Sequence, residues 1–134
     1  MLAKNYSKVI LKSGRERSLL RKHPWIFSGA VDSVNGTPGA GEIVQVQNAN
    51  RQIIGWGSYS PVSQIKVRMW SFEEDEFPNE ELISSRILSA VEMRKSLTDT
   101  KQTNALRLVH SESDYLPGII VDQFGDMVIL QLHT

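Results

Sequence analysis

The chain contains no cysteine. Disulfides are excluded, as is a cysteine nucleophile within this sequence, and the composition fits the reducing cytoplasm. Histidine is scarce as well. His23, His110 and His133 stand far apart, which argues against a zinc site. No apolar run approaches bilayer-spanning length, and the opening MLAKNYSKVILKSGRERSLLRKH is basic without the apolar core of a signal peptide. Internal repeats and low-complexity tracts are missing too. What is present, 40% hydrophobic and 22% charged residues, is a globular composition. The expectation is a cytoplasmic protein with no membrane segment.

Net charge is zero, but the zero conceals a division. Residues 1–70 hold ten Lys/Arg against three Asp/Glu, a charge of +7, and residues 71–134 hold five against twelve, a charge of −7. So large a swing suggests two units with different partners. The turnover falls in SFEEDEFPNEE, read as a linker after a first unit of residues 1–72 and before a second of 73–134. The alternative is a solvated loop within one domain.

Local patterns support a β-rich first unit. SKVILK (7–12) alternates, as do EIVQVQ (42–47) and QIKVRMW (64–70), where Ile65, Val67 and Met69 oppose Lys66 and Arg68. RERSLLRK (15–22) reads as one or two helical turns with its cations outward and Leu19 and Leu20 inward, ended by Pro24. Trp25, Ile26 and Phe27 are expected to bury. Residues 30–34 read as a short strand, and the Gly and Pro residues between 35 and 41 as turns. Residues 49–52 form a hairpin turn into IIGWGSY (53–59), a strand whose glycines mark a bulge or a close approach. About five strands and a short helix make a small barrel-like fold, with the three tryptophans supplying much of its core.

The second unit opens on a helix. Asn79 is a suitable N-cap, Glu80 and Glu81 suit the positive end of the helix dipole, and Arg94 and Lys95 suit the other end. Ile83, Ile87, Ala90, Val91 and Leu97 recur at helical spacing. A polar Thr/Asp/Lys/Gln loop follows, then a strand over ALRLVH (105–110) and a hairpin with strands at 119–122 and 127–132 around Gln123–Asp126. The last strand would be an apolar edge unless covered, so the domain is expected to continue beyond it. The fold class is mainly β with α, an α+β arrangement: a pseudo-barrel, then a partial domain of a helix and antiparallel strands.

The strongest functional signal is the run Lys4, Lys8, Lys12, Arg15, Arg17, Arg21 and Lys22, opposed only by Glu16 and joined by Lys66 and Arg68 if the strands are neighbours. Such a face is an electrostatic footprint for nucleic acid, because phosphates dominate affinity; the bland reading is a solvated helix surface. The glycines at 36, 39 and 41 lack the GxxxxGK[ST] spacing of a phosphate loop and read as a β-turn connection, with a minor backbone-binding role left open. Trp25, Trp56 and Trp70 could stack bases but fit a core better, whereas Tyr59 and His23 are expected near a ligand. Asp114 and Asp122 flank a Pro-Gly turn; Asp114 reads as a turn former, and with no partnered His, Ser or Lys neither reads as an acid–base catalyst.

KHPWIFSGAV, GEIVQV, IGWGSYSPVSQIKVRMW and SDYLPGIIVDQFGD, in that order, resemble the N-terminal part of a bacterial family of S-adenosylmethionine (SAM)-dependent RNA methyltransferases acting on carbon 5 of a cytosine in large-subunit (23S) ribosomal RNA. The resemblance covers nearly the whole chain. It implies an RNA-binding PUA domain, then the start of a central domain, with a Rossmann-like catalytic domain beyond. The cofactor loop and catalytic cysteine of that family do not occur in this sequence, so the chain is read as a fragment without catalytic or cofactor-binding residues of its own, SAM belonging to the parent enzyme. By the same resemblance RNA would lie against the first helix and the last barrel strand. That points to Lys12, Arg15, Arg17, Arg21, Lys22 and His23, with Tyr59, Gln64, Lys66 and Arg68 opposite. The competing reading is a structural or dimerising module that packs through the barrel and the edge strand 127–132. A standalone enzyme is the weakest reading.

Overall fold

The computed structural model describes residues 4–97 and 103–133, with Leu97 described by its backbone alone. The polar loop expected after the helix lies largely outside the described residues, as does Thr134. The chain divides into two compact units, one reaching Pro78 and the other spanning Asn79–His133.

Alternation in the first unit becomes one curled sheet, a half-barrel. Its strands are β1 (Lys8–Leu11), β2 (Trp25–Phe27), β3 (Val31–Asn35), β4 (Ile43–Gln47), β5 (Ile53–Tyr59) and β6 (Ile65–Ser71), in the spatial order β2-β6-β5-β4-β1-β3. All neighbours run antiparallel except β1 and β4. The inward face of each strand supplies the core: Val9, Leu11, Ile26, Val44, Val46, Val67 and Met69, closed by Leu19 from the one-turn helix α1 (Arg17–Leu20). That core is aliphatic rather than tryptophan-built. Only Trp56 is buried among the tryptophans, while Trp25 and Trp70 are half-buried.

Two expectations fail for the same geometric reason. Leu19 is 3% exposed but Leu20 is 71% exposed, because adjacent residues on a single helical turn cannot face one core. β2 is a strand too short to show alternation in the sequence. It turns Ile26 inward and therefore leaves Phe27 47% exposed.

The glycines of β5 do what strand glycines signal. A Cβ on Gly55 would meet the Ser71 carbonyl, and one on Gly57 would meet Val67 and lie 2.7 Å from the Arg68 carbonyl oxygen. Between them the β5–β6 register shifts at Trp56/Gly57, so bulge and close approach coincide. The acidic stretch after β6 packs on this unit. Trp56 Nε1 donates to the Glu74 carbonyl at 2.9 Å, and Phe77 sits 4.9 Å from the Tyr6 ring and 5.0 Å from that of Trp56.

The second unit contains helix α2 (Glu80–Leu97) and the antiparallel sheet β7 (Ala105–His110), β8 (Ile119–Phe124), β9 (Met127–Leu132). Asn79 caps α2, its Oδ1 accepting the Leu82 N–H at 2.9 Å. The helix packs on β7 and on a 3-10 turn at Ser111–Asp114. The β8–β9 hairpin turns tightly at Gly125 (φ 60°) and Asp126, so β8 extends to Phe124, further than the sequence suggests, while β9 keeps its expected bounds. Every residue of β9 is exposed.

Candidate nucleic-acid interface

α1 is held by its ends rather than by length. Its C-terminus closes with two backbone bonds, Lys22 N–H to Leu19 O at 2.8 Å and His23 N–H to Ser18 O at 3.0 Å. This is a Schellman closure. The closing position requires a left-handed residue, and Lys22 occupies it at φ 62° in place of the usual glycine. The closure leaves Lys12, Arg15, Arg17, Arg21, Lys22 and His23 all exposed. Arg15, Arg17 and Arg21 make no side-chain hydrogen bond or ion pair among the described residues. Lys22 reaches the Phe72 ring, with Nζ 5.7 Å from its centroid.

Across the sheet, β2 joins this helix to β6. Trp25 pairs with Arg68 in the β2–β6 register, and the Arg68 guanidinium lies over the indole, 5.6 Å from its centroid. Trp25 N–H donates to His23 Nδ1 at 3.3 Å, and the imidazole stands edge-on to the indole at 6.3 Å. His23 and Arg68, predicted from opposite sides of the interface, thus share one aromatic contact. Lys66 is half-buried and donates to the Pro61 carbonyl at 2.8 Å. Gln64 is exposed, and its carbonyl receives the Ser28 N–H at 2.8 Å. Tyr59 is half-buried and packs against the core, so it is less available than a ligand-facing tyrosine would be.

The predicted cations do not form one sheet of charge. Of these cations, Arg15 and Lys22 each line a cleft beside α1. One, of about 150 Å³, is lined by Arg15, Ser18, Trp25, Phe27 and Gly29 over a floor that includes Leu11. The other, of about 410 Å³, lies by Leu20, Lys22, Asn48, Gln52 and Phe72. Ser18, Phe27, Gly29, Asn48 and Gln52 carry no charge signal, and only the folded topology brings them to the helix.

Two N–H groups of the glycine turn already have partners within the chain. Gly39 N–H is taken by the Glu42 carboxylate at 2.8 Å and Gly41 N–H by the Tyr59 carbonyl at 2.7 Å. A further cleft, of about 450 Å³, lies beside Asn5, Tyr6, Ser7, Lys8, Asn35 and Thr37. No His/Asp/Glu cluster able to hold a metal occurs among the described residues.

Asp114, read as a turn former, is a buried anchor. Burial alone would raise its carboxyl. Hydrogen bonds from the Arg94 side chain and the His110 N–H, with the charges of Arg94 and His110, hold it below the ordinary carboxylate value instead. Asp122 pairs across the strands with Arg107 at 2.8 Å, and that hydrogen bond lowers its carboxyl. Both are structural ion pairs.

Residues 9–72, the half-barrel and its short helix, match the family model of the PUA-like domain. The chain is similar to ribosomal RNA large subunit methyltransferase I: 44% identical over 92% of its length to the protein of Tolumonas auensis and 38% over 94% to that of Pseudoalteromonas translucida. It spans about a third of these curated relatives, 31% and 32%. In fold it also resembles a Streptococcus mutans protein assigned provisionally as a SAM-dependent methyltransferase, with a TM-score of 0.74 at 20% identity, covering 92% of this chain and 32% of that one.

Proposed function

We propose that the first unit is the RNA-binding module of a SAM-dependent large-subunit rRNA methyltransferase, one that modifies carbon 5 of a cytosine. In this reading the module orients RNA for a catalytic domain lying in the part of such proteins that this chain does not span, where SAM would also bind. The cations of α1 and β6 hold phosphates and fix register, and base choice belongs to the catalytic site. The work takes place in the cytoplasm. The observation that carries the proposal is that Arg15, Arg17 and Arg21 are exposed and free of side-chain partners among the described residues, in the unit where His23 and Arg68 share the Trp25 ring.

Fluorescence anisotropy with a structured ribosomal RNA piece across a salt series tests it. Affinity should fall steeply with salt, and Arg17→Glu with Arg21→Glu should weaken binding and flatten the salt slope by about two counterions. Unchanged affinity in that double variant would sink the site.

A second reading, assembly, is favoured by β9, exposed along its whole length. It makes the second unit a dimerising or domain-packing surface, and both roles can coexist in one protein.

A further inference from the structure

We propose that the 150 Å³ cleft between α1 and β2 is a pocket for one unstacked nucleobase, so that the RNA held here carries a bulged or single-stranded nucleotide. The inference rests on the RNA-binding reading above and specifies which part of the RNA the module grips.

The size suits one base and falls below the roughly 300–1,000 Å³ of sites for larger ligands. The walls have the right chemistry. Trp25 and Phe27 stand on the same face of β2, their rings 6.3 Å apart and nearly perpendicular, offering one ring to stack on and another for edge contact. Arg68 over the outer indole fixes the Trp25 ring in place. Leu11, Leu19 and Ile26 form an apolar floor. Ser18 and Arg15 enter from the helix side, bringing a hydroxyl for a base edge and a guanidinium for the attached phosphate. Sequence-specific RNA recognition relies on such splayed bases, because the major groove of an RNA duplex is too narrow for side chains to read.

Phe27 is otherwise hard to account for. A phenylalanine left nearly half exposed on a barrel strand is available for stacking. Gly29 supplies a clean probe. A Cβ there meets nothing within 4 Å, so a larger side chain projects into open space without displacing backbone.

The test compares two RNA hairpins, one fully paired and one with a single bulged 2-aminopurine, by anisotropy and by 2-aminopurine emission. The chain should bind the bulged hairpin about tenfold more tightly and quench its emission, as expected for one stacked base. Gly29→Leu, at a lining position with room for a side chain, should reduce both preference and quenching. Phe27→Ala should reduce the preference in parallel. Equal binding of the two hairpins by the wild-type chain, or a Phe27→Ala variant that keeps the preference and the quenching, overturns the pocket while leaving the RNA-binding module standing. Failure to bind either hairpin at low salt overturns both.

Discussion

Arg94 and Asp114 meet as a two-pronged pair, Nη1 to Oδ1 at 3.0 Å and Nη2 to Oδ2 at 2.8 Å. The same guanidinium also donates to the Leu108 carbonyl at 3.0 Å, and the same carboxylate accepts the His110 N–H at 2.6 Å. One pair therefore ties α2 to β7 and to the turn that follows it. The fully buried apolar side chains of this unit are few, chiefly Val109 and Leu116, so the clamp carries an unusual share of its order.

Asp114→Asn leaves Arg94 half-buried beside a neutral partner and should destabilise the second unit by about 3 kcal/mol. The pH dependence has a definite sign. The folded carboxyl lies below its unfolded value, so the clamp's contribution is complete above the unfolded pKa of about 3.9 and is lost as pH falls through the folded one. Urea melts of wild type and Asp114→Asn should differ most near neutrality and converge below about pH 4. A constant gap across that range would show that the charge is not the source.

Much of this was legible from sequence, and the exceptions have physical causes. The Asn79 cap, the alternating strands and the meaning of Gly55 and Gly57 are local signals, and each is realised locally. The Arg94–Asp114 clamp was not legible, because its partners lie twenty residues apart and meet only once the helix docks on the sheet. The fates of Leu20 and Phe27 were misread because periodicity cannot be judged over one helical turn or a three-residue strand. At the candidate site, charge revealed the cations, but no pattern revealed Ser18 and Gly29 as cleft walls.

Lys22 separates folding from binding. Its left-handed backbone is costly for a side-chain-bearing residue, so Lys22→Gly should relieve strain of about 1 kcal/mol, offset in part by loss of the contact with Phe72. Thermal stability should hold or rise slightly while RNA affinity falls. A variant that melts lower would show that the lysine stem supports the fold.

Gly55 and Gly29 form a contrasting pair. Gly55→Ala drives a methyl group into the Ser71 carbonyl and should cost about 1–3 kcal/mol, since only backbone movement of β6 can make room. Gly29→Ala should stay within about 0.5 kcal/mol of wild type. Denaturant midpoints measure both, and equal losses would refute the claimed close approach of β5 and β6.

β9 presents Met127, Val128, Ile129, Leu130 and Leu132 to solvent with no charge and no proline among its six residues. Its outer edge has no strand partner among the described residues. Edges of that kind are normally blunted by lysine, proline or a covering element. This chain should therefore self-associate with rising concentration, by pairing one β9 with another or by burying their apolar faces. Ile129→Lys together with Leu130→Lys places a charge on each face of the strand and should return the chain to monomer. Sedimentation across a concentration series distinguishes the outcomes. A wild-type monomer at high concentration would remove the assembly reading and leave RNA binding as the sole role proposed for the chain.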